Sequence, residues 1–205
     1  MLNETYWTHN TAYHKWILSC IEKNSVVLDV GCGDGLLILR LSEVCGKVAG
    51  IDPDAAIIKS AEQRLCDIPN ATVQSVGFEE YEAAPETFDV IIFVASMHHM
   101  EHEFCMKKAK RLLKPGGILL VVGCAKRGDI LDFLIDVARV LLARIGSAFH
   151  GEPKSGIGVS IKEPEVSFRE IKRLAKRIFR NVKMRQGLYY RYLLSCEKSK
   201  EQAFH

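Results

Sequence analysis

Two aspartates and three glycines crowd into Asp29-Val30-Gly31-Cys32-Gly33-Asp34-Gly35, and a further aspartate, Asp52, follows downstream. Glycine reaches positive φ and lets a ligand approach the backbone closely. No Gly-Lys-Ser/Thr closes the loop, so a P-loop is excluded. Leu36 stands where the dinucleotide fingerprint needs its third glycine. A ligand without phosphates but with an amino acid end suits Asp29 better than a pyrophosphate does. Asp52 can accept hydrogen bonds from both hydroxyls of a ribose. A second chemical cluster is Ser96-Met97-His98-His99-Met100. Histidine titrates near neutral pH, so His98 can take a proton from a hydroxyl or amine; the competing reading is a cap for the next helix. His98, His99, His102 and Cys105 also have partial metal-ligand spacing, but structural zinc wants four ligands and no second cluster lies nearby, so no metal is expected.

These residues need elements to hold them. Val26–Val30 is short, apolar and rich in β-branched side chains, which predicts a buried strand. The glycine turn then feeds a helix from Leu36 to Val44. Val48–Asp52 is a second strand with Asp52 at its end. Pro53 follows at a position where a helix start tolerates its missing N–H, and residues 54–66 carry a helical apolar face. Ala71–Val76 is a third strand. Phe88–Ala95 is apolar on both faces, as a central parallel strand must be. Glu101–Leu113 is a helix that Pro115-Gly116-Gly117 stops, and the run to Gly123 is a fifth strand. Ser167 caps a helix ending near Arg180, and Val182–Arg185 with Leu188–Cys196 make a closing hairpin. Upstream, residues 11–22 have helical spacing behind an aromatic and polar cluster of Tyr6, Trp7, His9, Tyr13 and His14.

The Asp29–Gly35 stretch resembles motif I of the class I S-adenosylmethionine (SAM) dependent methyltransferases. Asp52-Pro53 resembles motif II, the Phe88-Asp89 strand with its histidine end resembles motif IV, and Lys114-Pro115-Gly116-Gly117 is a further family motif. His9-Asn10 with Tyr13-His14, and Tyr189-Tyr190-Arg191-Tyr192, look like a group of small bacterial members. The resemblance spans about residues 6 to 198. It implies an α/β, Rossmann-like fold with a seven-stranded, mostly parallel sheet, an antiparallel last strand and helices on both faces. It implies one domain over 1–205, with residues 1–24 as an N-terminal cap helix and 125–165 as an acceptor-lid insertion.

For function it implies methyl transfer from SAM, with S-adenosyl-L-homocysteine as product, to an O or N atom of a small molecule. Gly31, Cys32, Gly33 and Ala95 position the methionine end, and Asp29 orders the loop or the amine. Asp52 and Pro53 serve the ribose. Gly77 and Phe78 stand where the family usually has an aspartate for the adenine amino group, so Phe78 flanks the ring and Glu79 is a substitute carboxylate. Tyr13, His14, His98 and His99 face the acceptor, with His98 the candidate base. The alternative for Tyr13 and the other aromatics is packing on the sheet edge. An RNA or protein methyltransferase and a SAM-binding protein without turnover are the alternative functions.

The chain has 205 residues and a net charge of +3. Residues 1–124 hold 11 Lys/Arg against 16 Asp/Glu, and residues 125–205 hold 17 against 9. The basic excess gathers in Arg169, Lys172, Arg173, Lys176, Arg177, Arg180, Lys183 and Arg185. It reads first as a solvated helix face and strand, and second as an electrostatic footprint for RNA, an anionic surface or an acidic acceptor. Seven cysteines without a C-x-x-C pair, a polar start and no membrane-length apolar run predict free thiols and a cytoplasmic protein. Asp129–Ile145 is strongly apolar with one narrow charged face, and residues 146–165 are rich in glycine and proline. The first predicts a lid helix or a core helix, the second a loop that can close.

Overall fold

The computed structural model describes residues 9–124, 166–187 and 191–200. The expectations for Tyr6, Trp7, the 125–165 insertion, Tyr189 and Tyr190 lie outside them.

Seven strands form one sheet in the order β3-β2-β1-β4-β5-β7-β6. They are β1 Val26–Val30, β2 Lys47–Asp52, β3 Ala71–Ser75, β4 Phe88–Val94, β5 Leu113–Cys124, β6 Asn181–Gln186 and β7 Arg191–Glu197. β1 to β5 pair in parallel; β7 runs antiparallel to both β5 and β6. This is the class I methyltransferase sheet that the motifs imply.

Period-2 alternation splits the core between two faces. Val27, Val90, Ile92, Leu120, Val122 and Leu193 join one apolar cluster. Leu28, Ile91, Phe93, Leu119, Val121 and Leu194 join the other. Helices α1 His14–Ser19, α2 Leu36–Ser42 and α3 Ala55–Leu65 supply Ile17, Ile38, Leu41 and Ile58 to the first cluster. Helices α4 His102–Leu112 and α5 Phe168–Ile178 supply Met106, Ala109, Ile171 and Ala175 to the second. Ser167 caps α5 as expected, and Glu170 completes a reciprocal capping box with it.

Three boundaries differ from expectation. Residues 11–22 are a 3-10 turn over Thr11–Tyr13 and then a single short helix ending at Ser19, before Asn24 takes a left-handed φ of 64°. Pro53 does not start α3: Asp54 is the cap, its carboxylate accepting from the N–H groups of Ala56 and Ile57, and Pro53 precedes it. Pro115-Gly116-Gly117 turns within β5 rather than before it. Leu113 already pairs with Phe88, and a register shift between Phe88 and Val90 absorbs the turn.

Candidate active site

The carboxyl ends of β1, β2 and β4 converge on the glycine loop. Gly31, Gly33 and Gly35 all have left-handed φ, at 76°, 55° and 77°. Gly31 presses on Ser96, and a Cβ at Gly31 would collide with the Ser96 Cβ. Gly33 has open space instead. Ser96 Oγ donates to the Val30 carbonyl at 2.5 Å, tying the end of β4 to β1. Ala95 is forced to a φ of 55°, and its N–H donates to Val122 O at 2.7 Å. A non-glycine residue in that region is strained, and such strain gathers at functional edges.

The N–H groups of Gly31, Cys32, Gly33 and Gly35 are already engaged. Gly31 and Cys32 both donate to Ile51 O, at 2.8 and 3.0 Å. Gly33 N donates to Asp52 Oδ2 at 3.1 Å. An anion cradle needs such donors pointing outward. What the loop offers is acceptors. Asp29 is buried, and its Oδ1 has no hydrogen-bond partner among the described residues. Burial, and then the nearby Asp52 charge, push its carboxyl up to about 7. Asp52 accepts from Gly33 N through one oxygen and Asp54 N through the other, leaving a lone pair on each. Asp34 is neutralised differently: Arg64 pairs with its carboxylate at 2.7 Å and also donates to its carbonyl.

Several other predicted site residues sit deeper than expected. The Cys32 side chain packs against Gly50, and burial drives its thiol far above the ordinary range. The Phe78 ring is 2% exposed, edge-on to Phe93 at 5.2 Å with Lys108 Nζ near its face. Only the Gly77-Phe78 backbone is left to meet a ligand, because the apolar face of α4 draws the ring inward. Glu79 lends its carbonyl to Lys108, and the Glu80 carboxylate covers Gly77. His14 is buried with Nδ1 2.9 Å from Arg40; burial first, then Arg40, lower its pKa to about 4. Tyr13 packs over Gly187. His98 is half-buried and His99 exposed, on a 3-10 turn beyond β4, with ring centroids 4.0 Å apart.

Arg191 belongs to a family-like motif in the sequence, but that motif assigns it no partner. Its guanidinium donates to Cys124 Sγ at the end of β5 and to Asn10 Oδ1 at 2.8 Å. Only the aromatic run around it hinted at a role. A groove of about 640 Å³ lined by Glu103, Lys107, Lys110, Arg111, Arg177, Ile178 and Lys198 lies at the opposite sheet edge. It is no rival for the site, because Lys107 and Arg177 pair with Glu103, Lys110 with Ile178 O and Lys198 with Glu86. Among the described residues no group of three potential metal ligands forms, and no helix is long and apolar enough to cross a membrane. The seven cysteines form no disulfide.

Residues 27–117 match a methyltransferase domain family. An uncharacterised methyltransferase of Mycobacterium tuberculosis is 31% identical over 118 residues, 57% of this chain and 59% of that protein. A ubiquinone biosynthesis O-methyltransferase of Rhizobium etli is 35% identical over 98 residues, 46% of this chain and 39% of that protein. The chain thus spans well under two thirds of these relatives. The PH0226 protein of Pyrococcus horikoshii shares the fold with a TM-score of 0.68 at 19% identity, over 92% of this chain and 89% of that one. A Haemonchus contortus N-methyltransferase, in complex with phosphomonomethylethanolamine and S-adenosylhomocysteine, superposes with a TM-score of 0.63 at 19% identity, over 87% of this chain and 38% of that one.

Proposed function

From the premise that residues 27–117 are a methyltransferase domain, homologous to the class I SAM-dependent methyltransferases, we propose that this protein methylates an O or N atom of a small molecule. The observation that carries the reading is the polarity of the loop: the N–H groups of Gly31, Cys32, Gly33 and Gly35 are satisfied internally, while Asp29 Oδ1 and the remaining lone pairs of Asp52 await donors. SAM brings those donors, an ammonium and two ribose hydroxyls, and needs no phosphate cradle.

Bound there, SAM supplies an electrophilic methyl on a sulfonium sulfur. Asp29 holds the ammonium, and Asp52 takes the hydroxyls through the lone pairs its backbone contacts leave open. Gly31 and Gly33 let the ligand lie against the backbone, and the Ala95 turn holds the end of β4 beside them. The Gly77-Phe78 backbone borders the adenine. His14 acts at a distance, holding α1 to α2 through Arg40. Tyr13, His98 and His99 border the acceptor, with His98 as the candidate to receive its proton. Aligning the acceptor and excluding water carry most of the rate.

An O- or N-linked small acceptor accords with what the Rhizobium and Haemonchus relatives are named for. Arg177, part of the basic run behind the RNA or protein alternative, pins α5 to Glu103 of α4 instead.

The test is calorimetry with S-adenosylhomocysteine, followed by labelled-methyl transfer to a panel of hydroxyl and amine acceptors. Binding with turnover on a small acceptor is expected. No binding ends the reading, and tight binding without turnover on any acceptor makes the protein a SAM sensor. His98→Ala is expected to lower kcat or raise the acceptor KM; with both intact, His98 has no part in the chemistry.

A further inference from the structure

Arg191 stands at the far end of the same sheet edge as Asp29. β5 and β7 pair Cys124 with Arg191, and Ala95 N reaches Val122 O, so the ends of β4, β5 and β7 lie in one row. Val27, Val122 and Leu193 face the α1–α3 side. Asp29, Cys124 and Arg191, each two residues away in its own strand, share that side. From β1 to β7 is three strand spacings, about 14 Å. The crevice edge is therefore polar in one direction, with carboxylates over β1 and β2 and a guanidinium over β5 and β7.

The partners of that guanidinium are all neutral. One terminal nitrogen meets the Cys124 thiol, the other meets the Asn10 amide, and Nε is buried without a hydrogen-bond partner among the described residues. No carboxylate of the described residues forms an ion pair with it. His9, close by, has its pKa lowered by burial and then by Arg191, which favours its neutral form. A guanidinium has five donors, and a partly desolvated one without a counterion is costly unless an anion completes it.

We propose that Arg191 binds an anionic group on the acceptor, a carboxylate or a phosphate, and so selects negatively charged small molecules. The Nε–H and an adjacent terminal N–H form the planar fork that suits both anions. Asn10 and Cys124 hold the fork over the end of β5, one strand from Ala95 and the His98 turn. This rests on the methyltransferase reading for the word acceptor, but the anion site stands by itself.

The test is the Nε–H resonance of Arg191 in ¹⁵N-labelled protein, assigned by its loss in Arg191→Lys, during separate titrations with acetate and inorganic phosphate at constant ionic strength. A saturable millimolar shift of this resonance, with those of Arg40 and Arg64 still, is the expected result. Response to acetate marks a carboxylate acceptor and response to phosphate a phosphorylated one. No saturable shift with either anion, or equal shifts at all three arginines, overturns the proposal. Arg191→Gln should keep its S-adenosylhomocysteine affinity within twofold while losing anion binding; a tenfold loss of that affinity would make Arg191 part of the cofactor site and also overturn it. Wild-type protein that binds the anion but not S-adenosylhomocysteine would sink the methyltransferase reading alone.

Discussion

The two edges of the sheet use aspartate in opposite ways. At the amino edge, Asp89 accepts from Val26 N at 2.8 Å and from Lys114 Nζ through both oxygens at 2.9 Å. Lys198 spans Glu86 and the Leu113 carbonyl nearby. That edge is closed by its own ion pairs. At the carboxyl edge, Asp29 has no cation among the described residues, and one of its oxygens lacks a hydrogen-bond partner there. The side chain is the same and both belong to inner strands. The lesson is that a saturated carboxylate fastens the fold, whereas a buried, unsaturated one marks the place of something yet to bind.

The sharpest way to break this contrast is Gly31→Ala. It puts a Cβ at positive φ and into Ser96, and roughly 2–5 kcal/mol of stability should be lost. Denaturant unfolding measures it, and adding Ser96→Gly should recover the part due to collision. A loss below about 1 kcal/mol would mean that the tight loop is not as drawn.

Next comes Asp52→Ala, which should weaken S-adenosylhomocysteine binding by about 1–3 kcal/mol in calorimetry, through loss of a charged acceptor for two hydroxyls. Unchanged affinity removes Asp52 from the site. Asp89→Ala is its mirror. It should cost about 1–2 kcal/mol of stability, since the Lys114 pair is half exposed and contributes less than the backbone contact. Ligand affinity should stay within twofold; a tenfold drop would erase the difference between the edges.

The remaining contrast is in pH. With its folded pKa raised to about 7, Asp29 is protonated in the native chain where the unfolded chain is ionised. Its contribution to stability is therefore lost as pH rises from about 4 to 7. An ammonium bound beside it should expel that proton. Calorimetry at pH 6 in buffers of different ionisation enthalpy should show up to one proton released on binding S-adenosylhomocysteine, and none in Asp29→Asn. His14, with its pKa lowered to about 4, works the other way: its contribution is present above pH 6.5 and is lost as pH falls toward 4.

Residues that act through their own local segment were legible in the chain. Glycine at positive φ, Asp29 inside β1, Asp52 at the end of β2 and the Ser167 cap all follow from neighbours a few positions away. Phe78 was harder. Its position after β3 suggests contact with adenine, yet whether its ring turns outward or inward depends on α4, whose Lys108 reaches it from 30 residues on. Arg191 is visible as a motif residue, but its partners are not, for the same reason. Its partners Cys124 and Asn10 are 67 and 181 positions away, joined only by antiparallel insertion of β7. Side chains whose meaning is set by register across the sheet leave little trace in spacing.

That insertion bears on how the chain is made. β7 is the last described strand to be synthesised, yet it lies inside the sheet, between β5 and β6. A growing polypeptide on the ribosome must keep β6 unattached and one side of β5 bare until residues 191–197 emerge. During that interval β5 presents an unpaired apolar edge, the kind that invites chaperones or aggregation.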